Sequence, residues 1–136
     1  MRREALKRLH DALKAIEAIQ RFIENCTLNH YLEPELIQSA VERKFEIIGE
    51  ALNRSQDADT SVLDFIPDLR LIGGTRNRII HVYDTVDQLM LWDAIQNDLP
   101  GLKASLRDAL NTNPPHDFVT VVNAANACLG AYRSTS

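Results

Sequence analysis

Apolar residues recur at spacings of three and four through most of this chain. Leu6, Leu9, Leu13, Ile16, Ile19 and Ile23 form one stripe, which predicts an amphipathic helix over about 2–28, fraying near 25–29. Arg2, Arg3, Lys7, Arg8, Lys14 and Arg21 fall on its other faces and read as solvated surface rather than as a nucleic-acid patch. A second stripe of Ile37, Val41, Phe45, Ile48 and Leu52 predicts a helix from Pro34 to about Arg54. Proline suits the first turn, and Glu33 and Glu35 suit the positive end of the dipole. Residues 55–61 are polar and read as a loop.

A third helical pattern occupies 69–83, with Gly73 and Gly74 inside it. Each glycine costs about 1 kcal/mol relative to alanine there, which points to close helix approach or a kink. Thr85 and Gln88 have the spacing of a capping box. Leu89, Trp92, Ile95, Leu99, Leu102, Leu106 and Leu110 then form a fourth stripe, which predicts a helix that bends at Pro100 and continues. Residues 111–115 end it, and 116–136 read as a short helix or an ordered tail. Long amphipathic helices with short connections predict an all-α, up-and-down four-helix bundle over 1–110, with 111–136 as a C-terminal extension.

Length and charge narrow the classes. A chain of 136 residues fits one domain. Net charge is −4 and the pI about 5.5, so the molecule as a whole has no basic footprint. No apolar run approaches the length of a membrane span, and the charged opening MRREALKRLHDAL does not read as a signal peptide. Cys26 and Cys128 read as free thiols in a reducing cytosol. His10, His30, His81 and His116 are scattered without metal-ligand spacing, so neither a metal nor a cofactor is expected.

Unusual chemistry concentrates between Gly73 and Tyr83. On a helical wheel, Leu69, Ile72, Ile79, Ile80 and Tyr83 lie within about 60° of Arg76, which places a guanidinium in the apolar stripe. Asn77, His81 and Asp84 cluster on one flank. Taken singly, Arg76 reads as a paired structural arginine, His81 as a surface or hydrogen-bonded histidine, and Tyr83 as a core-edge residue. Together they offer a phosphate-binding fork and a side chain that exchanges protons near neutrality. That pair suits phosphodiester chemistry: His81 moves a proton and Arg76 stabilises charge on the phosphoryl oxygens. An arginine followed five positions later by histidine is expected about 0.3 times by chance at this composition; adding Asn77 and Tyr83 lowers that to about 5 in 10,000.

RNRIIHVY (76–83) resembles the Arg-Asn-x-x-x-His-x-Tyr motif of the HEPN superfamily, in particular its HepT-like branch. RKFEIIGEALN (43–53) resembles the second-helix signature of that branch, and 84–100 its fourth helix. The resemblance covers about 5–110; Thr75 stands where the motif has an apolar residue.

The resemblance implies a bundle that dimerises through the motif helix, so that two motifs share one cleft. It implies a metal-independent endoribonuclease with Arg76 and His81 as the catalytic pair and Asn77 in support, leaving a 2′,3′-cyclic phosphate. It also implies the toxin of a type VII-like toxin–antitoxin module in the cytoplasm. A minimal nucleotidyltransferase antitoxin would neutralise it by AMPylation of Tyr83, whose added charge and bulk block RNA entry. The other reading is a non-catalytic HEPN subunit that binds a nucleotidyltransferase.

Overall fold

A computed structural model describes residues 1–67 and 87–113. These residues are all-α: they form six helices and no strand. The helices are α1 (Arg3–Phe22), α2 (Leu28–Leu32), α3 (Glu35–Ala58), α4 (Val62–Phe65), α5 (Gln88–Asn97) and α6 (Leu99–Thr112). The third long helix expected from the sequence, the expected capping residue Thr85 and the stretch 116–136 lie outside the described residues. No helix among the described residues is long and apolar enough to cross a membrane.

The first stripe behaves as its spacing demands. Leu6, Leu9, Ile16 and Ile19 are fully buried and Leu13 nearly so. Each such side chain contributes about 1.5–3 kcal/mol by leaving water. Ala5, Ala12, Ala15 and Ala18 are buried too, which widens the stripe beyond the large residues. The reason is that α1 packs on two partners, chiefly α3 and then α6. It is antiparallel to both. The Arg2 amide donates to Asp59 Oδ2 at the far end of α3 (2.7 Å). Lys103 donates to Gln20 Oε1 (2.7 Å), and Arg107 approaches Glu17 at 3.8 Å.

Helix α1 stops at Phe22, earlier than expected. Asn25 takes a positive φ of 64°, a conformation asparagine tolerates better than most residues, and the chain turns there. Thr27 then caps α2, its hydroxyl accepting from the His30 amide at 3.3 Å.

Helix α3 runs past its expected end to Ala58. Ser55, assigned to a polar loop by the sequence pattern, is completely buried and helical. Its hydroxyl donates to the Leu52 carbonyl at 2.7 Å, so its polarity is satisfied within the helix. Asp59 provides the stop. Its Oδ1 accepts from the Ser61 amide and hydroxyl (3.0 and 2.7 Å) while Oδ2 holds Arg2, turning the chain toward α4.

The fourth pattern is two helices and not one bent helix. Asp98 ends α5, its amide bonding to the Ala94 carbonyl at 2.9 Å, and α6 begins at once with Pro100 in its first turn. A proline inside one continuous helix would leave the Gln96 carbonyl without its partner; in a first turn the missing N–H costs nothing. Because Leu99, Leu102 and Leu106 are all buried, the apolar pattern carries across the break and conceals it. Leu89 is 58% exposed, against its place in the expected stripe. The inward face of α5 is Leu91, Ala94 and Ile95, and two residues before Leu91 is the opposite side of a helix.

Candidate functional site

Arg76, Asn77, His81 and Tyr83 lie outside the described residues, between Pro67 and Asp87. The structure defines the two ends between which this segment is held. At the leading end, Val62 of α4 and Ile66 just after it are buried in the core. At the returning end, Asp87 caps α5: its Oδ1 accepts from the amides of Leu89 (3.1 Å) and Met90 (3.2 Å). The Thr85 half of the expected capping box lies outside the described residues. The Gln88 side-chain amide reaches into the bundle.

The Tyr31 hydroxyl donates to Gln88 Oε1 at 2.6 Å, and Gln88 Nε2 donates to Glu42 Oε1 at 2.5 Å. Gln38 Nε2 closes the group by donating to the Tyr31 carbonyl (3.0 Å). Tyr31 is fully buried, with Trp92 tilted against it at a centroid distance of 5.2 Å. Burial, and then the neighbouring Glu42 carboxylate, raise the Tyr31 pKa well above its ordinary value. The phenol therefore remains a donor at any physiological pH. Three helices, α2, α3 and α5, thus meet in one chain of hydrogen bonds five residues after Tyr83. Sequence reasoning missed Tyr31 because it belongs to no stripe; the only signal was the cap at Thr27 that starts its short helix.

A second feature lies along the outer side of α1 and α3. The two helices leave a groove of about 380 Å³ between them. Its floor is small and apolar: Ala15, Ala18 and Ala51, with Ile47. Arg8, Lys14, Arg21 and Lys44 line it, together with Asp11 and Glu50. Arg8 Nε is buried and has no hydrogen-bond partner among the described residues. Three of these cations were read from the sequence as solvated surface. Their spacing, with Arg8, Asp11, Lys14, Ala15, Ala18 and Arg21 three or four apart, was the signal that they share a face.

His10 is half-buried on α1; burial and then Lys14 lower its pKa, which favours the neutral imidazole. Cys26 is a free, half-buried thiol, and Cys128 lies outside the described residues. Among the described residues no three of His, Cys, Asp and Glu converge on a possible metal position.

The described residues are all-α, and the segment bearing Arg76, Asn77, His81 and Tyr83 lies between α4 and α5 in the sequence. The family model described as ribonuclease HepT-like matches residues 12–109, and the chain belongs to that family. A protein of Thermococcus cleftensis named "Probable ribonuclease HepT" is 33% identical over 105 residues, covering 76% of this chain and 93% of the relative. "Putative RNase MJ1380" of Methanocaldococcus jannaschii is 30% identical over 95 residues, covering 70% of this chain and 86% of the relative. No solved structure matches the chain.

Proposed function

We propose that this chain is a metal-independent endoribonuclease acting through Arg76 and His81. The observation that carries the reading is that the complete Arg76-Asn77-x-x-x-His81-x-Tyr83 pattern lies inside the region, residues 12–109, that matches a ribonuclease family. The 2′-hydroxyl of a ribose attacks the adjacent phosphorus and the 5′-oxygen of the next nucleotide leaves. The 2′-proton goes to a base and the leaving oxygen receives one. His81 serves in this proton transfer, a role worth about 10²–10⁴-fold in rate. Arg76 holds the non-bridging oxygens as their charge grows. The products are a 2′,3′-cyclic phosphate and a 5′-hydroxyl. Asn77 orients the pair.

The same reading makes the chain a cytoplasmic toxin that works as a homodimer, two motifs facing one cleft. A minimal nucleotidyltransferase is its antitoxin: the Tyr83 oxygen attacks the α-phosphate of ATP, pyrophosphate leaves, and the protein carries AMP. One added negative charge beside Arg76 repels the RNA backbone.

The test is cleavage of total RNA in excess EDTA by wild type, Arg76→Ala and His81→Ala, with end-group analysis of the products. Each variant should lose at least about 100-fold in rate. Equal cleavage by wild type and both variants would overturn the assignment. No cleavage by the wild-type dimer, with the nucleotidyltransferase still bound, would establish the binding-subunit reading. Intact mass after co-expression with the nucleotidyltransferase should rise in AMP units for wild type and not for Tyr83→Phe.

A further inference from the structure

We propose that the groove between α1 and α3 is a second RNA contact, a sequence-blind track for the phosphate backbone made by side chains other than Arg76 and His81. The inference rests on the ribonuclease reading and names where its polymeric substrate lies on the bundle. Three observations carry it. The first is charge: four cations and two carboxylates give the groove 4 − 2 = +2, on a chain whose net charge is −4. The second is that these cations, Arg8, Lys14, Arg21 and Lys44, carry no ion pair among the described residues, whereas Arg43, Arg54 and Arg107 do. Glu50, the carboxylate in the groove that is paired, is held by Arg54 at 2.8 Å. The third is Arg8, a lining residue whose Nε donor is buried and has no acceptor among the described residues. A phosphate oxygen is the acceptor that a guanidinium fork fits best.

The shape agrees with the charge. From Arg8 to Arg21 the groove follows α1 for about 20 Å at 1.5 Å per residue, which is a strip rather than a point. Its alanine floor leaves room for sugars beneath a cationic rim. Among the described residues that line the groove there is no aromatic side chain on which a base could stack, so contact is with the backbone and not with base identity. That supplies what an acidic chain otherwise lacks, a local field to hold RNA.

The experiment measures binding without cleavage. A fluorescent, mixed-sequence 2′-O-methyl oligoribonucleotide is titrated with the full chain, and affinity is followed against salt. The triple variant Lys14→Gln/Arg21→Gln/Lys44→Gln should bind more weakly with every sequence tested. Its log affinity–log salt slope should be shallower by about 2, since each phosphate contact on a single strand contributes about 0.7. The control Arg3→Gln/Lys7→Gln/Arg43→Gln changes net charge equally, from −4 to −7, at residues that do not line the groove or pair with a residue that does, and should keep the wild-type slope. Circular dichroism and the dimer–monomer ratio confirm that each variant is folded. A groove variant with the wild-type slope, or a control that loses as much, overturns the proposal even if wild type cleaves RNA. A wild type that never cleaves RNA but loses its slope with the groove variant overturns the ribonuclease reading and leaves the RNA track.

Discussion

Between α1 and α3 the contact is apolar. Leu6, Leu9, Ile16 and Ile19 meet Val41, Phe45, Ile48 and Leu52, and the polar atoms stay at the margins. Where α5 meets α2 and α3 the contact is directional, running from the Tyr31 hydroxyl through the Gln88 amide to the Glu42 carboxylate. The first region supplies free energy in proportion to area and accepts many arrangements of similar volume. The second supplies little net energy and fixes a position, because each bond has a length and an angle. The difference matters for function because the directional region is the one that receives the chain after Tyr83. Under the proposed function the Arg76–His81 pair must be held to within fractions of an ångström, whereas the frame behind it need only be stable.

The largest effect belongs to the apolar seam. Ile16→Ala removes a completely buried side chain and should cost about 2–5 kcal/mol. Urea unfolding should show the midpoint fall with an unchanged m-value. A cost below that range would mean the seam repacks around the cavity and is softer than the junction.

Smaller effects should come from the junction, with a different signature. Tyr31→Phe keeps the ring against Trp92 and removes only the hydroxyl, so about 1 kcal/mol should be lost. The sharper measurement is a double-mutant cycle with Gln88→Ala. Coupling of about 0.5–1.5 kcal/mol is expected, because the two side chains share one hydrogen bond at 2.6 Å. Additivity would make the junction no more specific than the seam. Asp87→Ala should cost about 1 kcal/mol through two capping bonds. It should also lower ribonuclease turnover more than its stability loss predicts, since it loosens the return from the motif.

The same contrast explains what could be read in the sequence. Apolar packing writes itself as periodicity, so the stripes of α1 and α3 were legible residue by residue. Directional contacts do not. Tyr31 has no periodic neighbours, and nothing in the order of residues joins it to Gln88, 57 positions away. The break at Asp98 was hidden because Leu99 and Leu102 fall in phase with the stripe before it. Asn25 and Asp59, which end helices by a left-handed turn and a side-chain cap, act through geometry that hydrophobic patterning does not register. The proposed site residues Arg76, Asn77, His81 and Tyr83 stand out as chemistry because the conjunction of residue types is rare, and they lie outside the described residues. The groove cations were visible as a list of charges and not as a place, because that depends on which face α3 covers.

The smallest effect sits where the two long helices are tied at their ends, and it separates a titrating contact from apolar packing. Hydrogen bonds from the Ser61 hydroxyl, then from the Arg2 and Ser61 amides, hold the Asp59 pKa down to about 2 from its ordinary 3.8. A folded-state pKa below the unfolded value stabilises the protein above the unfolded pKa. That stabilisation is present above about pH 4, declines between pH 4 and 2, and is gone once the carboxyl is protonated in both states. Asp59→Asn cannot titrate. The wild-type advantage in melting temperature over this variant should therefore be constant near neutrality and shrink steadily as the pH falls from 4 toward 2. Ile16→Ala, which removes no charge, should keep its deficit relative to wild type over the same range. If both differences fell together, acid would be acting on the whole bundle rather than through the carboxylate that joins Arg2 to the end of α3.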